Sequence, residues 1–223
     1  MKKYFNYILV FIIIILISNI YFNNAYKSFS KNYASEMYNH MMYSIIRNKS
    51  ILDEISSSET VKIETIVELH KNYGTMYSKL ADMERFRFHN NYKIRNKRPI
   101  IQIVSDFYRF TGGLVQNDVS FDIFHIQLQD NIYTLTSEDV KTFIMMKEVT
   151  NKLVDTIKSN MPKKYQQSST NHTVRSLDFK DWLQCYNNSN KQIEEFIIDK
   201  YNLYTSSMGT IGYDLINKTK NKF

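Results

Sequence analysis

The chain opens on an apolar run, residues 4–22 (YFNYILVFIIIILISNIYF), that follows Lys2 and Lys3 and precedes a long polar remainder. Its unbroken core, residues 7–17, centres on four consecutive isoleucines, Ile12, Ile13, Ile14 and Ile15. The core alone is shorter than the roughly 20 residues that cross a hydrocarbon layer of about 30 Å. Extension to Phe22 supplies the length and admits Asn6, Ser18 and Asn19 near the ends, where polar groups reach the headgroups. Tyr4, Tyr7, Tyr21 and Phe22 suit the two interfaces. The pattern predicts an uncleaved anchor over residues 1–25. The alternative is a secretory signal cleaved after Ala25, which Asn23 disfavours because the position two residues before cleavage calls for a small side chain. Lys2, Lys3 and the amino terminus on one flank, against Lys27 and Lys31 on the other, favour an N-in, C-out orientation.

Beyond the apolar run the periodicity is helical. Tyr26, Phe29, Tyr33, Met37, Met41, Ile45 and Leu52 fall three or four residues apart, with no Gly or Pro between Phe22 and this stripe, so the anchor is expected to continue outward as a stalk. Ser56, Ser57 and Ser58 interrupt it. Ser56 with Glu59 has capping-box spacing. The next helix is expected to run to Ala81, with Ile63, Ile66, Val67, His70, Tyr73, Tyr77 and Leu80 on one face. Pro99 starts a third helix (Ile100, Ile101, Val104, Phe107, Tyr108, Thr111), which Gly112 and Gly113 are expected to end. Residues 120–136 read as helix in preference to a small β-hairpin near 122–135. Ser137 is expected to cap a helix that ends before Pro162. Residues 163–175 read as a mobile polar loop. A last helix is expected over 176–204, striped by Phe179, Trp182, Leu183, Tyr186, Asn190, Ile193, Ile197 and Tyr201. The fold class is therefore mainly α: an N-terminal transmembrane helix, a multi-helix bundle over 26–205, and a tail over 206–223.

Between the second and third helices lies MERFRFHNNYKIRNKR, residues 83–98. Arg85, Arg87, Lys93, Arg95, Lys97 and Arg98 fall within it, interleaved with Phe86, Phe88, Tyr92 and Ile94. If residues 85–88 are extended, the alternation puts both arginines on one side. Such a segment suits anionic headgroups or a phosphate-rich wall polymer, with rings inserted at the interface. The plainer alternative is a solvated connection whose rings pack on the core. Arg85, Phe86, Arg87, Phe88, Lys93, Arg95, Lys97 and Arg98 are the candidate contact residues.

Composition narrows the class. With 43% hydrophobic and 14% aromatic residues the chain has material for a core, which excludes disorder. Five Gly and two Pro argue for helices over a turn-rich β architecture. The net charge of +7 favours anionic surfaces and is too small to argue for nucleic acid. Abundant Tyr, Asn, Ile and Lys fit the coding bias of an AT-rich bacterial genome. The lone Cys185 admits no intrachain disulfide and reads as a buried small hydrophobe.

Catalytic chemistry leaves no footprint. His40, His70, His89, His125 and His172 form no metal-binding pair at helical spacing. No nucleophile motif or phosphate loop is present, and no cofactor is implied. His70 reads as a hydrogen-bonded core residue and Trp182 as a core anchor. Asp53–Glu54 and Glu194–Glu195 read as solvated pairs. The expected function is non-enzymatic: a membrane-anchored extracytoplasmic interaction or accessory module, with a protein partner, anionic lipid or wall polymer. The alternatives are a helical sensor or small-ligand-binding domain, which a buried polar cluster would favour, and an exported envelope enzyme, which a His70 or His125 paired with a carboxylate would favour.

Overall fold

The apolar run and the stripe beyond it form one helix. In the computed structural model, which describes residues 2–90, 92, 98–118, 132–166 and 173–202, α1 runs without a break over Lys2–Ile55, about 80 Å at 1.5 Å per residue. Its N-terminal part is long and apolar enough to cross a membrane, and none of its most apolar window is buried. From Ala34 onward the same helix enters the core. Ala34, Met37, Tyr38, Met41, Met42, Ile45, Ile51, Leu52 and Ile55 are buried, while Glu36, His40, Tyr43, Arg47, Ser50 and Glu54 form an exposed stripe at the same spacing.

The Ser56–Ser58 turn closes α1 from its carboxyl end. The hydroxyls of Ser57 and Ser58 donate to the Glu54 carbonyl at 2.9 and 3.2 Å, and that of Ser56 donates to the Asp53 carbonyl at 3.2 Å. The expected Ser56–Glu59 capping box does not form. Strand β1 (Thr60–Lys62) intervenes, and Lys62 is the N-cap of α2 (Ile63–His89) with no side-chain capping bond. β1 pairs antiparallel with β2 (Ile132–Thr134), Val61 opposite Tyr133. Residues 132–136 are thus not helical, and the strand pairs with β1; the first part of the alternative hairpin near 122–135 falls on residues that are not described. Residues 119–131 lie outside the described residues.

α2 returns alongside α1, bringing Phe86 to Tyr33 at 5.1 Å between ring centroids and the Asn48 amide to the Met76 sulfur at 3.7 Å. α3 (Pro99–Asp118) turns back along α2. The glycine pair does not end α3 but lies inside it. A Cβ at Gly112 would stand 2.9 Å from Cε1 of His70, and one at Gly74 would stand 3.0 Å from Cε2 of Tyr108, so both glycines let α2 and α3 approach closely. Asn190, buried on α6 (Phe179–Tyr201), accepts from the Ile100 amide at 3.1 Å and so caps the start of α3 from another helix.

α4 (Ser137–Asn160) starts one residue beyond its cap, Thr136 and not Ser137. Thr136 accepts from the Asp139 amide at 3.1 Å, and Asp139 reciprocates at the Thr136 amide at 3.0 Å. The expected polar loop has regular structure over part of its described length. A short helix, α5 (Lys163–Gln166), follows Pro162. Val174 and Leu177 are buried, the first held by both amide atoms of Asn39 at 2.8 and 3.0 Å, the second donating its amide to Ser35 at 2.7 Å. Asp178, not Ser176, caps α6. Residues 203–223 lie outside the described residues. α2, α4 and α6 flank the buried half of α1, and Trp182 is buried against Tyr38 at 5.3 Å. Cys185 is buried beside the Ile157 carbonyl, and burial pushes its thiol up to about 12. Glu194, expected to be solvated, is buried.

The two glycines of α3 are expected to respond oppositely to substitution. Gly113 has open space around a built Cβ, so Gly113→Ala should stabilise by up to about 1 kcal/mol through helix propensity. Gly112→Leu should destabilise by about 1–3 kcal/mol by driving into His70. Thermal unfolding followed by circular dichroism distinguishes this from a helix-terminating pair, at which Gly113→Ala would destabilise.

Candidate functional site

The basic-aromatic segment is not extended where it is described. α2 continues through His89, so Arg85 and Arg87 are two helical positions apart and diverge. Their environments differ accordingly. Arg85 is 77% exposed and, among the described residues, is paired with the neighbouring Asp82 alone, at 3.6 Å. Arg87 is folded inward, donating to Glu84 at 3.1 Å and to the Tyr92 carbonyl at 3.1 Å. Arg98, beyond the connection, donates to the same Glu84 oxygen at 2.8 Å. One mostly buried carboxylate thus gathers two guanidiniums and pins both ends of the connection to α2. Lys93, Arg95 and Lys97 lie outside the described residues.

The rings divide in the same way. Phe86 packs between Tyr33 and Phe179, 5.1 and 4.5 Å between centroids, and Tyr92 approaches Phe179 at 5.3 Å. Phe88 is 71% exposed. The Asn90 side chain donates to the Phe86 carbonyl at 2.8 Å, closing the carboxyl end of α2. The Tyr26 hydroxyl donates to Asn90 Oδ1, tying that end to α1. Burial, with Tyr92 nearby, raises the Tyr26 phenol above its ordinary value.

This contact fixes where the segment stands. Tyr26 is four residues beyond Phe22, about 6 Å along the helix axis. The end of α2 therefore lies beside the end of the apolar run, at the pole of the domain from which the exposed part of α1 emerges. Among the described members of the expected contact set, Arg85 and Phe88 are the most displayed to the exterior there. Phe86, Arg87 and Arg98 build the surface that displays them. A cleft of about 440 Å³ opens at the same pole, lined by Asn23, Tyr26, Lys27, Ser30 and Lys31 of α1 and by Tyr92, Asp178, Phe179 and Lys180. Sequence reasoning missed this grouping. The recurrence of Asn23, Lys27, Ser30 and Lys31 on one helical face was available as a signal; the arrival of Lys180 was not.

A second cleft, about 480 Å³, lies between α1, α4 and the chain around Tyr165, lined by Tyr38, Asp155, Lys158, Ser159, Met161, Tyr165, Gln166 and Val174. It adjoins the start of α6, where the Tyr165 hydroxyl accepts the Asp178 amide at 3.0 Å, and the one acid and one lysine described in its lining balance. His70 is stacked on Tyr108 at 4.3 Å, with Nδ1 facing the Tyr108 carbonyl at 3.1 Å and the Thr111 hydroxyl at 3.2 Å. Burial lowers its pKa. Its partners are a carbonyl and a hydroxyl, not the carboxylate that acid–base chemistry would use. His125 and His172 lie outside the described residues. Among the described residues no three His, Cys, Asp or Glu side chains group as a metal site. No family model, curated protein or solved structure matches the chain.

Glu84 and Arg85 are adjacent but should behave differently. Glu84→Gln removes the charge that both guanidiniums share and should destabilise the domain by about 1–3 kcal/mol. Arg85→Gln should stay within about 0.5 kcal/mol. Denaturant unfolding of the two variants measures the contrast; equal effects would remove Glu84 from its bridging role.

Proposed function

We infer that the protein is a membrane-anchored helical interaction or accessory module, non-enzymatic, displayed outside the cytoplasm with its basic-aromatic pole against the bilayer. The observation that carries this reading is the continuity of α1, exposed and apolar at one end and buried in the domain core at the other. A span that is also the spine of the domain holds one pole of that domain at the membrane surface. Arg85 and Phe88 would meet the interface there, the guanidinium at headgroup phosphates and the ring at the headgroup–acyl boundary. Lys93, Arg95 and Lys97 are proposed to add to the same contact. The partner is anionic lipid or wall polymer on this pole, with a protein partner on the domain's remaining surface. Nucleic acid is disfavoured by the modest charge. Retention of residues 1–25 as an anchor, in the N-in, C-out sense, belongs to this proposal.

A small-ligand-binding role acting with a partner is the second reading. The cleft of about 480 Å³ between α1 and α4 supports it, within the roughly 300–1,000 Å³ range of small-molecule sites.

Cell fractionation tests the main reading. The protein should remain in membranes through carbonate extraction, with an intact N-terminus by mass spectrometry, and protease added to intact spheroplasts should digest the domain. A mature form starting at Tyr26 would contradict the anchor. Digestion only after lysis would contradict the orientation.

A further inference from the structure

The foot of α1 carries cations that the basic-aromatic segment does not include. Asn23, Lys27, Ser30 and Lys31 recur at i, i+4, i+7 and i+8 and so share one face of the helix. With Tyr26 they form one wall of the cleft of about 440 Å³; Tyr92, Asp178, Phe179 and Lys180 form the other. The walls are fastened together on both sides. Ser35 donates to the Lys31 carbonyl at 2.8 Å and accepts the Leu177 amide at 2.7 Å, which lays the start of α6 against α1. The Tyr26–Asn90 hydrogen bond and the packing of Tyr92 on Phe179 close the other side.

The lysines of this cleft differ from those that the fold pairs with a carboxylate. Lys49, Lys79, Lys147, Lys164, Lys191 and Lys200 each lie within ion-pair distance of a carboxylate. Lys27, Lys31 and Lys180 make no such pair among the described residues. Among the described residues the one acid in the lining is Asp178, whose Oδ1 accepts the Lys180 amide at 2.9 Å and caps α6. Three ammonium groups against one carboxylate leave a positive excess, and the amino-terminal end of α6 adds to it. Ser30 and Asn23 offer neutral donors, and Tyr26, Tyr92 and Phe179 supply aromatic surface. This is the donor set of a phosphate site with an apolar margin.

We propose that this cleft binds the phosphate headgroup of an anionic phospholipid. Lys27, Lys31 and Lys180 surround the phosphodiester, and Ser30 and Asn23 donate to its oxygens. The acyl chains follow the exposed apolar surface of α1, residues 10–22, which begins where the cleft ends. That continuity favours a lipid over a free anion. The proposal rests on the anchored reading above, since only a span over residues 4–22 brings the cleft to headgroup depth.

Native mass spectrometry of the full chain in mild detergent tests it, with phosphatidylglycerol and phosphatidylcholine added in turn. The wild type should prefer phosphatidylglycerol by about tenfold, equivalent to about 1.4 kcal/mol. K27Q/K31Q/K180Q should lose the preference. K62Q/K71Q/K152Q, with the same change of charge far from the cleft, should keep it. Equal binding of both lipids by the wild type, persistence in the first variant or equal loss in the second would overturn the proposal. Inorganic phosphate that binds as tightly as the lipid would assign the cleft to a free anion and overturn the lipid. Carbonate extraction run in parallel separates the failures. A wild type that stays in membranes without lipid preference refutes the cleft alone; one that is extracted refutes the anchored reading and the cleft with it.

Discussion

The burial seam of α1 is the constraint on which the rest of the structure depends. Met37, Met41, Met42, Ile45 and Leu52 are almost wholly removed from solvent, and the helices that cover them are α2, α4 and α6. Truncating one such side chain to alanine typically costs about 2–5 kcal/mol, against a net stability of roughly 5–15 kcal/mol for an ordinary domain. The domain therefore cannot dispense with α1. Because the chain has no Gly or Pro before Gly74, nothing in the backbone interrupts the helix between this seam and the apolar run.

Position on α1 then sorts the surface chemistry. At one pole Tyr26, Tyr33 and Ser35 receive the end of α2 and the start of α6, and Lys27, Lys31, Lys180 and Phe88 collect around them. At the other, about 45 Å away along the helix at 1.5 Å per residue, the Ser56–Ser58 turn and the β1–β2 ladder close the domain, and Lys147 pairs with Asp53 at 2.9 Å. Asp53 at the far pole is satisfied within the fold, whereas Lys27, Lys31 and Lys180 around the foot of α1 make no ion pair among the described residues.

The helices were legible because spacing reports burial directly. The stripes through Met37–Met41–Ile45, Ile66–Tyr73–Leu80, Val104–Phe107 and Trp182–Tyr186–Ile193 all turned inward, as did Cys185. What escaped depended on residues distant in sequence. Gly112 reads as a helix end until His70 of another helix is seen against it. Residues 60–62 show no strand until residues 132–134 lie alongside. The alternation at residues 85–88 mimics a strand, yet it is the last turns of a helix whose end Glu84, Arg98 and Asn90 secure. Val174 and Leu177 sit in a polar stretch, and only Asn39 and Ser35 of α1 explain their order. The candidate site was half legible for the same reason. The basic-aromatic composition was plain, but its division into structural arginines and displayed ones, and the joining of Lys180 to Lys27 and Lys31, are tertiary facts.

The central claim is that one rigid helix joins the apolar run to the domain core. Spin labels at Ser18→Cys and Ser50→Cys of the full chain in lipid bilayers, with Cys185 buried, test it by pulsed dipolar spectroscopy. An unbroken α1 predicts a narrow distance distribution centred near about 48 Å, 32 residues at 1.5 Å each. A broad distribution, or a maximum well short of that distance, would reveal a hinge between membrane and domain and contradict the account.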